Sequence, residues 1–211
     1  MKRVVFDLDG TLLTGSFDFE YEYFSSLFGE EGIKLVDNMG KYLSEYEKNN
    51  PRYCHEWLSY YLSNKTGLDI NNKVLDGWME AMDVVPDAME DGVIQTLEHL
   101  KRNDCSIAVL TNWYSRNQVP RLKKAGILHY FDNVYTGDFV LKPHKNAYMW
   151  AKGDFDIDEC LFVGDNLDMD YIGPRIYGFE SVLYDKNDKH SKTLKKIKRI
   201  DEIIDKDLKK Y

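Results

Sequence analysis

Two aspartates stand two positions apart in Asp7-Leu8-Asp9-Gly10-Thr11, directly after the apolar run Val4-Val5-Phe6. Further along, Thr111 and Asn112 follow Ile107-Ala108-Val109-Leu110, and Lys142 sits in Leu141-Lys142-Pro143. Asp165 follows Leu161-Phe162-Val163-Gly164, with Asp170 five positions later. Brought together, these residues make a cluster of four carboxylates with one lysine and one hydroxyl. Carboxylates packed that closely cannot all stay ionised without compensation. A hard divalent cation with oxygen ligands supplies it, and Mg²⁺ is the usual choice where the ion must also meet a substrate phosphate. The cation and Lys142 would hold the equatorial oxygens of a phosphoryl group in transfer. Thr111 and nearby backbone N–H groups would add hydrogen bonds. One carboxylate free of tight ion pairing would attack phosphorus. A second, two residues on, would protonate the leaving oxygen and later activate water.

Such a cluster needs a frame that ends several chain segments at one place. Residues 3–8, 106–111 and 160–164 read as buried parallel strands, each rich in Val, Ile, Leu or Phe and stopped by a polar residue. Weaker strands are expected at 133–135 and 181–184. Helical patterns fall between them at 92–103, 116–125, 144–153 and 168–177, with Gly126 placed to end the second. Strands alternating with helices predict an α/β fold, a doubly wound, Rossmann-like parallel sheet. In such a sheet, ligands bind beyond the carboxyl ends of the strands. The segment 17–83 breaks the alternation with aromatic-rich helical patterns, including Tyr53, Trp57, Tyr60 and Tyr61, which are expected to pack among their own helices. It reads as an inserted α-helical domain, with 1–16 and 84–211 forming the core. The tail from Lys192 fits either one helical stripe (Leu194, Ile197, Ile200, Ile204, Leu208) or an edge strand followed by a helix from about Asp201.

Composition narrows the function classes. The 211 residues are 43% hydrophobic and 14% aromatic, enough for a real core. A net charge of −8 argues against nucleic acid or a membrane surface as partner, because both select a basic face. A phosphorylated substrate remains open, since a bound cation reverses the local charge. Three widely spaced cysteines give no disulfide framework. With no apolar run of membrane-spanning length, a cytoplasmic location is expected. Oligomeric state is not legible.

The same residues, in the same order, resemble the motifs of the haloacid dehalogenase (HAD) superfamily of phosphatases. Asp7-Leu8-Asp9-Gly10-Thr11-Leu12 is similar to the first, Leu110-Thr111-Asn112 to the second, and Lys142-Pro143 with Tyr148 to the third. Gly164-Asp165-Asn166-Leu167-Asp168-Met169-Asp170, followed by Gly173 and Gly178, is similar to the fourth. The insertion lies where subfamily I members carry a helical cap. The resemblance implies Asp7 as nucleophile and Asp9 as general acid/base. It implies Asp7, the carbonyl of Asp9 and Asp165 as Mg²⁺ ligands, with Asp170 helping directly or through water. Thr111, Asn112 and Lys142 would meet the phosphoryl group of a small phosphorylated metabolite. Asp168 is the rival to Asp170, and Asn166 is expected to stabilise its loop. Departures from the pattern are Trp113 where a small residue is frequent, His144-Lys145 and Pro174. Asp9 argues against a dehalogenase, whereas a phosphomutase or other phosphotransferase would keep every motif. From a different class, a phospho-accepting signalling domain also gathers acids, Thr and Lys at strand ends, but needs no helical insertion.

Overall fold

In the computed structural model, residues 2–84 and 86–205 are described. Six parallel strands form the main sheet in the order β5-β4-β1-β6-β7-β8. They are β1 (Arg3–Phe6), β4 (Ser106–Leu110), β5 (Asn133–Tyr135), β6 (Cys160–Gly164), β7 (Glu180–Tyr184) and β8 (Lys196–Ile197). Between them run α5 (Val93–Arg102), α6 (Ser115–Lys124), α7 (Lys145–Lys152) and α8 (Gly173–Ile176), with α9 (Glu202–Asp205) after β8. Alternation along the strands sorts the core into two layers. Val4, Phe6, Ile107, Val109, Leu161 and Val163 face α5 and residues of the C-terminal segment, including Ile200 and Ile203. Val5, Ala108, Leu110 and Phe162 face Ala147, Tyr148 and Ala151 of α7.

Register sets where the functional loops begin. Phe6 lies opposite Val109 on one side and Val163 on the other. The Asp7 N–H donates to the carbonyl of Val163 at 2.8 Å, and the Thr111 N–H to that of Tyr135 at 3.0 Å. Asp7, Thr111 and Asp165 therefore leave the sheet at one rim, as the three apolar runs require.

Several boundaries differ from the sequence reading. A two-stranded antiparallel ribbon, β2 (Leu13–Gly15) with β3 (Asp87–Met89), was not expected. These strands are three residues long and lack alternation, so pairing rather than pattern makes them. The helix expected over 168–177 is split into a π-helical turn, Leu167–Ile172, and the short α8. Pro174 has no N–H to give the preceding turn, which breaks the regular ladder there. The tail takes the strand-then-helix form, and Leu208 lies outside the described residues.

Four helices occupy the segment between the ribbon strands: α1 (Phe19–Phe28), α2 (Glu30–Asn49), α3 (His55–Thr66) and α4 (Asn72–Asp83). They bury Phe24, Leu35, Met39, Tyr46, Leu58, Leu62 and Trp78 in a cluster of their own, which Trp113, Tyr114 and Leu141 from the sheet side join. The aromatic expectation holds for Tyr53 and fails for Trp57 and Tyr60, which are 48% and 73% exposed. Within the cluster, Glu20 accepts from the Trp78 indole N–H at 3.0 Å, and burial pushes its carboxyl up to about 7. Its folded-state value lies above the unfolded one, so ionisation penalises the fold increasingly as pH rises from about 4 to 7. Glu20→Gln should therefore raise the free energy of unfolding at about pH 8 by on the order of 2–3 kcal/mol, seen as a higher melting temperature, and leave it little changed near pH 4. A pH-independent effect in thermal melts would contradict this origin.

Candidate active site

At the rim, Asp7, Asp165 and Asp170 each bring a carboxylate oxygen to within 4.8 Å of the others. Two glycines make that approach possible. A Cβ on Gly10, held at φ +78°, would meet Asp165 Oδ2 at 2.6 Å, and one on Gly164 would meet the carboxylate of Asp170. Asp168 is not part of the group: its side chain is 64% exposed, 3.8 Å from Lys48 Nζ. Asn166 holds the turn, its Oδ1 accepting from the N–H groups of Asp168 and Met169 at 3.0 Å each. The Asn166 N–H in turn donates to Asp170 Oδ2 at 3.0 Å.

Lys142 enters from the opposite side, almost fully buried, with Nζ at 2.6 Å from both Asp7 Oδ1 and Asp170 Oδ1. Asp7 is thus not free of tight ion pairing, contrary to the sequence reading. Burial forces the lysine and its acids to share charge, and only Oδ2 of Asp7 remains outside the pair, 3.4 Å from the Thr11 hydroxyl. Desolvation pushes Asp7 well above the usual carboxylate range, with Lys142 opposing it and the charges of Asp170 and Asp165 adding to it. Asp165 rises to about 6 by desolvation and then by the charge of Asp170, although its outer edge is exposed. Burial works against the charge of Lys142, but Asp170 and Asp7 outweigh it and raise its value.

The donor set fits a hard divalent cation. Asp7 and Asp170 share one ammonium with Asp165 beside them, all candidate ligand atoms are oxygens, and the glycines let the carboxylates come close. The acidic cluster is plain in the geometry.

Asp9 faces elsewhere. Its Oδ2 accepts from Gln118 Nε2 at 2.6 Å, and its Oδ1 lies 2.6 Å from Arg121 Nη1. Gln118 also donates to Thr111 Oγ1 at 2.9 Å, which leaves the threonine's own O–H free to donate. Asn112, expected at the phosphoryl group, turns its side chain to the main chain of Lys142. Its amide accepts from the Lys142 N–H at 2.9 Å and donates to the Lys142 carbonyl at 3.0 Å, so both ends hold the main chain of Lys142. Tyr148, below, donates to the Met169 carbonyl at 2.6 Å and links α7 to the π-helical turn.

Some neighbours were not legible beforehand. Gln118 and Arg121 lie on α6, where helical spacing singles out neither. Glu47 of α2 accepts from the Tyr53 hydroxyl at 2.6 Å and is buried near Lys142. Trp113 turns its indole into the aromatic cluster, with ring centroids 4.8 Å from Trp78 and 5.3 Å from Tyr53. Among the described residues, no helix is long and apolar enough to cross a membrane.

A family model for haloacid dehalogenase-like hydrolases matches residues 1–176. The ribulose-1,5-bisphosphate 5-phosphatase of Halopiger xanaduensis is 25% identical over 215 residues, covering 90% of this chain and 87% of its own. The pyrimidine 5'-nucleotidase YjjG of Escherichia coli is 25% identical over 188 residues, covering 81% and 80%. Among solved structures, a HAD-hydrolase of Bacillus subtilis, YfnB, bound to magnesium, superposes with a TM-score of 0.67 at 16% identity over 97% of both chains. At that identity the likeness is one of fold.

Proposed function

The chain belongs to the haloacid dehalogenase-like hydrolases, and from that premise we propose that it is a Mg²⁺-dependent phosphatase acting on a small phosphorylated metabolite through a phosphoryl group carried on Asp7. One observation carries the reading: Asp7, Lys142 and Asp170 converge in a buried group with Asp165 at its exposed edge, while Asp9 is held apart with its carboxylate unneeded by that group. Names of relatives add support. The two quoted differ in the alcohol part of their esters and agree in the phosphoryl group.

In the proposed sequence, Oδ2 of Asp7 attacks phosphorus and the bond to the ester oxygen breaks. Asp9 gives that oxygen its proton and the alcohol departs. Asp9, now a carboxylate, takes a proton from water. The water oxygen attacks phosphorus, the bond to Asp7 breaks, and inorganic phosphate leaves. Lys142 and the Thr111 hydroxyl steady the phosphoryl oxygens throughout. Asp7, Asp165 and Asp170, with the main chain at Asp9, would hold Mg²⁺, which when bound screens the negative charge gathered on the phosphoryl group. The helical segment 17–83 is proposed as a cap whose seating over the rim excludes water and selects the ester. Its aromatic contact with Trp113 and Tyr114 supports that placement.

The test is hydrolysis of p-nitrophenyl phosphate with Mg²⁺ and after chelation. Repeated, metal-dependent turnover is expected. A single phosphate taken up per chain, with no further release, would instead favour the signalling-domain alternative.

Magnesium should also show itself in stability. The folded-state value of Asp165, about 6, lies above its ordinary 3.8. Ionisation therefore weakens the metal-free fold as pH rises from about 4 through 6, and a metal ion binds only the ionised form. The melting temperature is expected to rise on adding Mg²⁺ at about pH 7.5, and the rise to fade towards about pH 5. An equal rise at both would contradict carboxylate ligation.

A further inference from the structure

β2 carries the chain into the helical segment and β3 carries it out, with Gly15 opposite Asp87. Asp87 is held by a fork from Arg121 of α6: Nε lies 3.2 and 3.0 Å from its two oxygens, and Nη2 lies 2.7 Å from Oδ1. The remaining guanidinium nitrogen, Nη1, reaches Asp9 Oδ1 at 2.6 Å and donates to Gln118 Oε1 at 2.6 Å. One side chain thus joins the strand from which the helices hang to the carboxylate assigned above as acid/base.

Anchoring β3 alone would need only the fork to Asp87. The third arm adds nothing to that anchor, and it places a second carboxylate beside a guanidinium that is only 11% exposed. Burying an arginine with two acids is a weak way to add stability, because desolvation offsets much of the attraction. What the arrangement does supply is orientation. Both oxygens of Asp9 are met from α6, one by Arg121 and one by Gln118. The guanidinium plane is fixed by its two-oxygen grip on β3. If the helical segment moves, β3 is the strand that moves with it, and the grip that sets the Arg121 plane loosens.

We infer that Arg121 is a positioning residue coupling the seating of the helical segment, through Asp87, to the orientation of Asp9. The inference rests on the assignment of Asp9 as acid/base. It predicts a dependence on the leaving group. A nitrophenolate departs without needing a proton, whereas a simple alkoxide does not, so a misaimed acid harms alkyl esters most.

The experiment compares kcat/KM, which reports the first chemical step, for p-nitrophenyl phosphate and for an alkyl phosphate in Mg²⁺. Arg121→Gln is expected to lower the alkyl-ester value by about 10²-fold and the nitrophenyl-ester value by less than about 10-fold. Asp87→Asn should give the same pattern in weaker form. The double variant should be no worse than Arg121→Gln alone, because both changes cut one linkage. A purely structural role would lower both esters equally, and that outcome overturns the inference. Additive losses in the double variant overturn it too. Asp9→Asn is measured alongside. If it shows no preference between the esters, the assignment of Asp9 is wrong and the coupling falls with it. If it shows one while the Arg121 and Asp87 variants do not, the coupling alone is wrong.

Discussion

Asp7→Asn is expected to abolish phosphate-ester turnover while leaving the fold intact. Among the described residues, the other carboxylates of the site are not placed to take the phosphoryl group: both oxygens of Asp170 are engaged, by Lys142 and by the Asn166 N–H. Asp165 lies at the outer edge of the cluster and Asp9 points towards α6. An amide at position 7 is too poor a nucleophile to substitute. Stability should not suffer in proportion. Asp7 is a buried acid whose charged form is disfavoured, and its removal leaves Lys142 paired with Asp170. Thermal melting at neutral pH without metal should therefore find the variant no less stable than the parent. Full turnover in Asp7→Asn would rule out the covalent route.

Asp9→Asn is the second large effect. Loss of a positioned acid/base typically costs about 10²–10⁴-fold in rate, and here one group is asked to serve both half-reactions. Substrate affinity should change little, because Lys142 and Thr111, the groups proposed to hold the phosphoryl oxygens, keep their places. The Asn side chain still accepts from Gln118 or Arg121, so the loop from Leu8 to Leu13 keeps its support. Steady-state kinetics on an alkyl phosphate measures this directly. An unchanged kcat would remove Asp9 from the mechanism.

Much of the site was legible because parallel strands are written so plainly. Val4-Val5-Phe6, Ile107 to Leu110 and Leu161 to Val163 are continuous apolar runs, buried on both faces; the first two end at a polar residue and the third, after Gly164, at Asp165, so all three polar residues must lie at the rim. Knowing that three strands end together places Asp7, Thr111 and Asp165 together. The same logic says nothing of how side chains turn. Asn112 stands two residues beyond the end of β4, where strand alternation no longer applies, and its side chain clamps the main chain of Lys142. The choice between Asp168 and Asp170 depended on spacing in a turn that proved to be π-helical. The longer step still carries Asp170 inward and leaves Asp168 in solvent.

Other features had no sequence signal. Arg121 and Gln118 occupy a helix whose exposed lysines and polar residues outnumber its apolar ones. Their meeting with Asp9, more than a hundred residues away, depends on how the fold sets α6 against β3 and the loop after β1. Ribbon strands of three residues are too short for period-two patterning to register. Trp57 and Tyr60 show the converse failure. Their helix carries aromatics on more than one side, and helical spacing alone did not say which side would be buried.

The central claim is that Asp7 itself carries the phosphoryl group. Its most direct test is to mix Asp9→Asn, in which the second half-reaction is slowed, with an excess of p-nitrophenyl phosphate and Mg²⁺. The mixture is then quenched, reduced with borohydride and examined for the residue present at position 7. An acyl phosphate there is reduced to the alcohol, so homoserine at position 7 is the expected product. A first turnover that releases nitrophenol while residue 7 is recovered as unmodified aspartate would contradict the account.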